Sequence, residues 1–410
     1  MTAFNTRHGL STLVTHLTEM KDPLNAHVTP VYQTTTFHFP DVDTGIAIWR
    51  GEQPGHIYTR LGNPNLEQLA TKIAALEGLD LLRARPGTDL EEVVAGLAFG
   101  SGMAAITAAI LARVHSGDTV IAQEALYGAT YSFLELLARN YGLNLVFLPD
   151  TSPQAWEDAF QRHPGAALAY AETPANPTLA LVDLQAAAEI AHRHGAWLMV
   201  DNTFATPYCQ RPLSLGADIV AHATTKYLAG HGLTIGGVVV SPHIDYIRRD
   251  VQSSLVLFGG VASPFDAWLA NIGLKTFELR MERHCANAMA VARYLAGHPA
   301  VSRVYYPGIE SHPGHAVALH QMHSFGGMLS FELKGGFDAG RALMDRVRLA
   351  TLAVSLGNVD TLISHPASMS ASNVSAEVRR KMGIPDGLVR FSVGIENTAD
   401  ILQDLEDALA

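Results

Sequence analysis

The chain has 410 residues, 48% of them hydrophobic and 16% charged, which is enough apolar material for a large core and more than one domain. Its 28 basic and 39 acidic residues give a formal net charge of −11 at pH 7, so charge offers no argument for binding nucleic acid or an anionic membrane. The two cysteines, Cys209 and Cys285, lie far apart in the sequence and indicate neither a disulfide framework nor a cysteine-paired metal site.

The first 63 residues form an N-terminal segment that is richer in Pro, Thr and aromatic residues than the rest. The stretch from Met1 to His16 has no apolar core of the signal-peptide type, and we expect a cytoplasmic protein. The uncharged stretch from Val93 to Ala112 is long enough to raise the question of a membrane span. Its many small residues, with Gly100-Ser101-Gly102 in the middle, favour instead a buried strand, a turn and a helix.

Residues 64–263 alternate between apolar strand patterns and amphipathic helix patterns. The predicted strands are Ala95–Phe99, Thr119–Ala122, Leu145–Leu148, Ala167–Ala171, Ala196–Val200 and Ala217–Ala221. The predicted helices among them are Met103–His115, Ser132–Tyr141 and Leu184–His194. This alternation predicts an α/β domain with a mostly parallel central sheet covered on both faces. The polar segment Leu81–Glu92 is expected to be a surface loop.

Residues 264–410 are predicted to form a smaller α+β domain at the C-terminus. This region begins with a long helical pattern, Pro264–Ala296, and continues with strands predicted at Gly327–Leu333 and Leu388–Val393.

Three successive predicted strands end in ionisable groups: Glu172 after the first, Asp201 after the second, and Lys226 shortly after the third. Open α/β sheets bind their ligands at the carboxyl ends of strands. A lysine at the mouth of a buried strand needs a partner or a lowered pKa, and such a lysine can form a Schiff base with an aldehyde. Pyridoxal 5'-phosphate (PLP) is held in this way, with an Asp paired to its pyridine nitrogen. Lys226 and Asp201 fit these two roles.

Each of these residues also has an ordinary explanation when taken alone. Asp201 can cap the turn that it forms with Asn202 and Thr203, and Lys226 can be a solvent-exposed loop lysine. We favour the functional interpretation because both residues stand at strand ends of the same predicted sheet.

A phosphate site is indicated at Gly102 and Met103, where a strand passes through a glycine turn into an Ala-rich helix. The N–H groups at such a helix start attract anions, although a close strand–helix turn without a ligand explains the pattern equally well. Tyr58 and Arg60 supply a phenol and a guanidinium suited to phosphate, with an ordinary loop as the alternative.

Two further side chains are candidates for the same site. Tyr127 can stack on an aromatic cofactor ring, although core packing is the usual fate of a tyrosine. Arg390 lies inside an apolar strand and suits the α-carboxylate of an amino acid, with a structural ion pair as the default.

Other classes of protein are compatible with parts of the sequence. A non-catalytic binding protein would have little reason to keep Lys226, Asp201, Tyr127 and Arg390 together. A zinc enzyme is suggested only by the four histidines between residues 312 and 323. A solvated helix with its flanking loop explains those histidines better, and we expect no metal.

Several motifs occur in the order of one family: Tyr58-Thr59-Arg60, Ser101-Gly102-Met103-Ala104-Ala105, Tyr127-Gly128, Glu172-Thr173-Pro174-Ala175-Asn176-Pro177, Asp201-Asn202-Thr203-Phe204-Ala205-Thr206-Pro207, Thr225-Lys226-Tyr227, Ser355-Leu356-Gly357, His365-Pro366-Ala367-Ser368-Met369 and Arg390. With them the chain resembles the Cys/Met-metabolism PLP enzymes: cystathionine γ-lyase and γ-synthase, methionine γ-lyase, and O-acetylhomoserine sulfhydrylase. The resemblance covers nearly the whole chain. It implies the fold-type-I, aspartate aminotransferase-like architecture and a homotetramer of two dimers with shared active sites.

The resemblance also implies roles for individual residues. Lys226 resembles the Schiff-base lysine and Asp201 the pyridinium partner. Tyr127 would stack on the ring and assist proton transfer, while Ser355 and Arg390 would hold the substrate carboxylate. The cofactor contacts would come from Tyr58 and Arg60 of the neighbouring subunit and from Gly102, Met103, Tyr127, Asn176, Asp201, Thr203, Thr225 and Lys226.

The implied reaction is α,γ-elimination on a γ-substituted L-amino acid: methionine, homocysteine, cystathionine or an O-substituted homoserine such as canavanine. The alternative is γ-replacement by a transferase, either an O-acetyl- or O-succinylhomoserine sulfhydrylase or a cystathionine γ-synthase. Ala129 stands where methionine γ-lyases commonly have a cysteine, and Ala223 replaces a serine that usually helps to bind the phosphate. Leu233 lies in a segment closer to the sulfhydrylases, and Ala371 takes a position often held by histidine. The cofactor machinery is kept, while the pocket walls differ.

Overall fold

A computed structural model of the chain describes residues 7–19, 24–372, 375–381 and 383–410. Two sheets organise it. The seven strands of the first sheet are β1 Ala95–Phe99, β2 Thr119–Gln123, β3 Asn144–Leu148, β4 Leu168–Glu172, β5 Trp197–Asp201, β6 Ile219–His222 and β7 Gly237–Ser241. The five strands of the second are β8 Val301–Tyr305, β9 Met328–Leu333, β10 Thr351–Leu352, β11 Leu362–Ser364 and β12 Leu388–Ser392.

The first sheet has the strand order β1-β7-β6-β5-β4-β2-β3. The strands from β3 to β6 along this order are parallel, and β7 runs antiparallel to both of its neighbours, β6 and β1. The prediction of a mostly parallel α/β sheet is therefore confirmed, and the six predicted strands lie within two residues of their expected bounds. Strand β7 was not predicted.

Seventeen α-helices lie in the described part of the chain: α1 Leu10–His16, α2 Val42–Trp49, α3 Pro64–Glu77, α4 Leu79–Ala84, α5 Leu90–Val93, α6 Gly102–Arg113, α7 Gly128–Tyr141, α8 Pro153–Arg162, α9 Leu184–Arg193, α10 Thr206–Cys209, α11 Gln252–Phe258, α12 Pro264–Leu274, α13 Phe277–Gly297, α14 His315–Gln321, α15 Gly336–Arg346, α16 Ala376–Lys381 and α17 Thr398–Leu409. Short 3-10 turns span Pro212–Leu215 and Pro366–Ser368, and a π-helix spans Tyr246–Val251.

Two element predictions were wrong. The expected helix Pro264–Ala296 is divided into α12 and α13, because the turn bonds from Lys275 and Thr276 close the end of α12. The segment Leu81–Glu92 lies mostly at the surface, as expected, but it contains the end of α4 and most of α5 rather than a loop throughout. Short helices of this kind carry too little hydrophobic periodicity to be recognised from sequence.

The central strands are apolar along their whole length because helices cover both faces of the sheet. Every residue of β4 and β7 is buried, and so is every residue of β6. In the parallel register Glu172 lies opposite Asp201, and Asp201 lies opposite Ala221. The carboxyl ends of β4, β5 and β6 are thus side by side, and Lys226 follows four residues after the end of β6.

The second sheet has the order β10-β11-β12-β9-β8 and contains both strands that were predicted in this region. Strand β12 lies inside it, with Arg390 opposite Ser364 on β11 and Ser330 on β9. The division of the chain near residues 63 and 263 stays a prediction.

Cys209 and Cys285 are brought together by this fold although they are distant in sequence. Both thiols are free and buried, and their Sγ atoms lie 3.8 Å apart. Among the described residues, no three His, Cys, Asp or Glu side chains gather in a way that could hold a metal ion. None of the helices in the ranges given above combines the length and hydropathy that a membrane span requires.

Candidate active site

The Asp201 carboxylate ends β5 and is held on one side by Thr203. Its Oδ1 atom accepts hydrogen bonds from the Thr203 backbone N–H at 3.0 Å and from the Thr203 hydroxyl at 2.5 Å. The same hydroxyl accepts the Ala223 N–H at 2.9 Å, which fixes the direction in which it donates. The turn-capping interpretation of Asp201 is therefore correct, but it uses only one carboxylate oxygen and leaves Oδ2 for a ligand.

Burial raises the pKa of Asp201, an effect that the Thr203 hydrogen bonds oppose. The neighbouring Glu172 is also buried, and burial together with the charge of Asp201 raises the pKa of Glu172 to about 8. Two buried carboxylates on adjacent strands call for a cation. A protonated ring nitrogen at Oδ2 of Asp201 would supply one.

Glu172 connects two other candidate residues. Its Oε2 atom accepts the Tyr127 N–H at 2.7 Å, and its Oε1 atom accepts the Asn176 N–H at 2.9 Å. One carboxylate thereby ties the loop after β2 to the loop after β4. The sequence marked Glu172 only as a strand-end group, because bonds to backbone N–H groups leave no pattern in the residues that donate them.

The Lys226 amine lies beside a residue 129 positions away in sequence. Its Nζ donates to the Ser355 hydroxyl at 2.8 Å. Burial, and after it the Arg390 guanidinium, lowers the pKa of Lys226 below its ordinary value. Ser355 has φ of +95°, in a region that non-glycine residues seldom adopt, so the surrounding contacts hold this backbone in place.

Arg390 supplies those contacts from β12. It donates from Nη2 to the Ser355 carbonyl at 2.6 Å and from Nη1 to the Asn176 Oδ1 atom at 3.2 Å. Neither acceptor is charged, so the guanidinium forms no ion pair within the described residues. The structural ion pair expected by default is absent there, and the cation is left for an anionic ligand.

The start of α6 lies against the strand end that leads to Lys226. A Cβ atom on Gly102 would stand 2.7 Å from the Cβ of Ala223, closer than real contacts allow. The hydroxyl of Ser101 accepts the Ala104 N–H at 3.0 Å, which leaves the N–H groups of Gly102 and Met103 without a helical acceptor. These two groups form a small anion site next to the lysine segment.

Thr225 is the least free of the predicted phosphate ligands. Its hydroxyl accepts the Gly236 N–H at 3.0 Å and donates to the Gly236 carbonyl at 3.3 Å. To donate to a phosphate, the Thr225 hydroxyl would have to give up its hydrogen bond to the Gly236 carbonyl.

The remaining predicted residues sit at the rim. Tyr127 caps the start of α7 with 47% of its surface exposed, and Tyr58 is 42% exposed. Arg60 donates to the Val256 carbonyl at 2.8 Å, and its guanidinium lies 5.8 Å from the Tyr58 ring centre. In the described part of this single chain, no hydrogen bond joins Tyr58 or Arg60 to Lys226 or Asp201.

The site therefore combines a partly buried amine of lowered pKa, a buried carboxylate with one open oxygen, an anion site and an unpaired guanidinium. This arrangement matches a cofactor that carries an aldehyde, a basic ring nitrogen and a phosphate, together with an amino-acid substrate. It is an α/β enzyme site of the fold-type-I kind.

Comparison with known proteins identifies the family. The profile of the "Cys/Met metabolism PLP-dependent enzyme" family matches residues 11–410. L-methionine gamma-lyase from Fusobacterium nucleatum subsp. polymorphum is 44% identical over 406 residues, covering 98% of each chain. O-succinylhomoserine sulfhydrylase from Pseudomonas aeruginosa is 37% identical, covering 98% of this chain and 95% of that one. A crystal structure of cystathionine gamma synthase from Xanthomonas oryzae pv. oryzae with cystathionine superposes with a TM-score of 0.88, at 37% identity and 98% coverage of both chains.

The chain belongs to the Cys/Met metabolism PLP-dependent enzyme family, and it is an enzyme that uses PLP. The residues present fit that cofactor. Oδ2 of Asp201 is open to the ring nitrogen, the N–H groups of Gly102 and Met103 are open to the phosphate, and the Lys226 amine is desolvated. The Gly102 backbone could not approach the Ala223 strand end with any larger residue in its place.

Proposed function

We propose that the chain is a γ-lyase that performs α,γ-elimination on a γ-substituted L-amino acid. The observation that carries the proposal is the Lys226 amine, which lies 2.8 Å from Ser355 Oγ while Arg390 holds the same Ser355 through its carbonyl. This contact supports Lys226 as the base of the reaction, next to the group that would bind the substrate carboxylate. Relatives named L-methionine gamma-lyase, at 41–45% identity, support elimination on a sulfur-containing substrate.

Substrate binding is assigned to β12 and to the segment between β10 and β11. The guanidinium of Arg390 would donate to the α-carboxylate in place of its neutral acceptors on Ser355 and Asn176. A charged acceptor makes a stronger hydrogen bond than a neutral one, so the exchange favours the bound state. The carboxylate held there would present the substrate Cα to Lys226.

Proton movement is assigned to Lys226 and Tyr127. PLP, when bound, withdraws electrons from the substrate carbon that loses its proton. Lys226 Nζ would take the Cα proton, and its lowered pKa keeps more of the amine neutral for this task. Lys226, once it has released the first proton, would also take the proton that leaves Cβ, and the Tyr127 hydroxyl would protonate the departing γ-substituent. With water the products are a 2-oxo acid, ammonia and the released γ-group.

The second candidate function is γ-replacement, in which a thiol or sulfide enters after the γ-substituent leaves. It is supported by the relative named O-succinylhomoserine sulfhydrylase and by the segment around Leu233, whose sequence resembles the sulfhydrylases. Ala129 and Ala223 differ from the residues that related enzymes commonly have at these positions. Methionine is therefore one candidate substrate, and canavanine-like and acylated homoserines are others. Product analysis with a panel of γ-substituted amino acids, with and without a thiol, distinguishes the branches. A 2-oxo acid supports the lyase, whereas a new thioether amino acid supports the transferase.

We also propose that the active sites are shared between two chains in each dimer of a tetramer. The N-terminal segment exposes Val42 and Trp49 at 76% and 64%, more apolar surface than a solvated segment needs. Tyr58 and Arg60 lie in the same segment without a bond to the lysine site in their own chain. A cytoplasmic location likewise remains a prediction.

Replacement of Lys226 tests the proposal directly. We expect Lys226→Ala to abolish turnover and the covalent attachment of PLP, because the change removes the amine to which the aldehyde would attach. Borohydride reduction followed by mass spectrometry should add the cofactor to the parent chain and not to the variant. Lys275→Ala, at a lysine paired with Glu19 away from the strand ends, is the matched control. Turnover retained by the Lys226 variant would overturn the assignment.

A further inference from the structure

A buried polar cluster lies behind the strand ends and makes no part of the cofactor site. Glu77 is the last residue of α3, and its Oε1 atom accepts from the His222 Nε2 atom at 2.6 Å and from the Asn202 Nδ2 atom at 2.7 Å. His222 ends β6, and Asn202 directly follows β5. A single carboxylate oxygen therefore joins the ends of the two strands that carry the cofactor chemistry.

The alternation of side chains along a strand places this cluster on the reverse face of the sheet. Asp201 and Ala221 lie opposite each other in the register of β5 and β6 and share one face. Asn202 and His222 are the next residues along the two strands, so their side chains point to the other face.

The cluster continues to a third strand end. The Asn202 Oδ1 atom accepts from Gln210 Nε2 at 3.2 Å, and the same Gln210 nitrogen donates to the Thr173 carbonyl at 3.3 Å, next to Glu172 at the end of β4. Gln321 of α14 donates to Gln210 Oε1 at 2.9 Å. The ends of β4, β5 and β6 are thus connected through buried side chains.

The Glu77 and His222 side chains are both fully buried, and a direct hydrogen bond joins them. A buried carboxylate needs a cation or several donors, and Glu77 has the His222 ring at 2.6 Å. Glu77 Oε2 and His222 Nδ1 have no hydrogen-bond partner among the described residues, so the His222 ring is held only through its contact with Glu77. On the face that carries Asp201, burial and after it the charge of Asp201 raise the pKa of Glu172 and of Tyr170 on β4. Burial raises the pKa of Asp201, and His222 at the end of β6 opposes that rise.

We propose that Glu77 and His222 are positioning residues for the cofactor site, a buried hydrogen-bonded pair that holds the ends of β5 and β6 together behind Asp201 and Lys226. Neither residue is assigned a contact with the cofactor; they act through Asn202 and the two strand ends. The proposal rests on the roles assigned to Asp201 and Lys226 under the proposed function.

The test compares PLP binding in Glu77→Gln, His222→Gln and the double variant. Glu77→Gln loses the charged acceptor, and His222→Gln leaves the buried carboxylate with amide donors alone. We expect the PLP dissociation constant to rise about tenfold in each single variant, the size found for outer-shell partners of metal sites. The double variant keeps an amide donor and acceptor in place and should recover to within about threefold of the parent. The visible circular dichroism of the bound cofactor, at saturating PLP, should change in the single variants because the strand ends have moved.

The matched control is Lys72→Met on the same helix, where the buried Lys72 Nζ donates to Glu19 Oε1 at 2.8 Å. We expect it to lower the melting temperature and to leave PLP affinity and the dichroism unchanged. Parent-like affinity and dichroism in folded Glu77→Gln would overturn the proposal. Should that variant not fold, Asn202→Ala cuts the connection to β5 while keeping the Glu77–His222 hydrogen bond, and parent-like PLP affinity there would overturn the proposal instead. An active Lys226→Ala enzyme would refute the proposed function separately.

Discussion

The guanidinium of Arg390 is a partly buried cation that has no anionic partner among the described residues. Its two hydrogen bonds end on the neutral oxygens of Ser355 and Asn176, and burial lowers its pKa. A cation held in this way gains most from a ligand that brings a negative charge, because a charged acceptor roughly doubles the strength of a hydrogen bond. Arg390 is therefore expected to act on substrate binding more than on the chemical step.

Arg390→Ala should raise KM for amino-acid substrates about 10-fold to 100-fold, since a hydrogen bond to a charged group contributes about 1.5–3 kcal/mol. We expect kcat to change less. Arg390→Lys keeps the charge but loses the two-pronged geometry, so its KM should fall between those of the parent and the Ala variant. A competing amine that lacks the carboxylate is the control, because it should inhibit all three enzymes equally. An unchanged KM in Arg390→Ala would assign the carboxylate to another group.

At the residue scale, the sequence predicted the ionisable residues that follow the strands but few of the contacts that these residues make. Lys226 and Asp201 stand out because each is ionisable and follows an apolar run. The approach of Ser355 to Lys226 has no such signal, since it depends on a left-handed backbone at φ +95° and on β12 packing from a distant part of the chain. Only the resemblance to a family pointed to Ser355.

At the scale of elements, the contact between α6 and the end of β6 determines where the anion site lies. The helix starts at Gly102, and its backbone approaches Ala223 more closely than a side chain on residue 102 would permit. The N–H groups of the first turn are thereby held next to the lysine segment. The proposed phosphate site would therefore be made by the packing of a helix on a strand rather than by a loop motif.

Gly102→Ala should weaken PLP binding, because the new Cβ would stand 2.7 Å from the Ala223 Cβ and push the helix start away from the strand. Overpacking of this kind costs about 1–3 kcal/mol, which corresponds to roughly 5-fold to 150-fold in the dissociation constant if all of it falls on the bound state. Adding Ala223→Gly removes the opposing methyl group and should restore most of the affinity. PLP titration of the single and double variants measures both effects. A double variant as weak as Gly102→Ala would show that the clash lies elsewhere.

The elements themselves were predicted unevenly. Strands β1 to β6 have apolar runs of five residues or so between turn residues, and they were found from that pattern. The break between α12 and α13 was missed because the apolar periodicity continues across it. At that break the Gly273 backbone packs against the Ala229 carbonyl, where a Cβ would come within 2.2 Å. This close approach of two backbones depends on tertiary packing, which the hydrophobic periodicity of the sequence does not predict.

At the scale of the whole molecule, buried histidines make stability depend on pH. Burial lowers the pKa of His284 and of His312 to about 4 each. The unfolded chain binds these protons near pH 6.5, so the folded state binds fewer between pH 6.5 and pH 4. The stability that each contributes is complete above pH 6.5 and is lost as the pH falls towards 4. Glu172 acts in the opposite direction, because its raised pKa makes the folded state bind more protons up to about pH 8.

His284→Gln isolates one of these contributions. The parent should be the more stable protein at pH 7, and the gap in unfolding free energy should narrow by about 2 kcal/mol on going to pH 5, at about 1.4 kcal/mol per pH unit below 6.5. Glu172 titrates in both proteins and cancels from the difference. Urea unfolding of the two holoenzymes at pH 5, 6 and 7 measures the gap. A gap that stays constant with pH would mean that His284 takes up its proton without unfolding.

The positions of Cys209 and Cys285 also bear on the molecule as a whole, because the two residues lie on elements that pack near different sheets. The first ends α10, beside the seven-stranded sheet, and the second lies in α13, which packs on β8 and β9 of the other sheet. They are the only thiols in the sequence, and their sulfurs lie 3.8 Å apart. The rate at which a thiol reagent modifies the two cysteines therefore reports how accessible the contact between α10 and α13 is. A rate that rises when substrate is added would indicate that the two sheets move apart there during turnover. A constant rate would indicate that this contact stays closed.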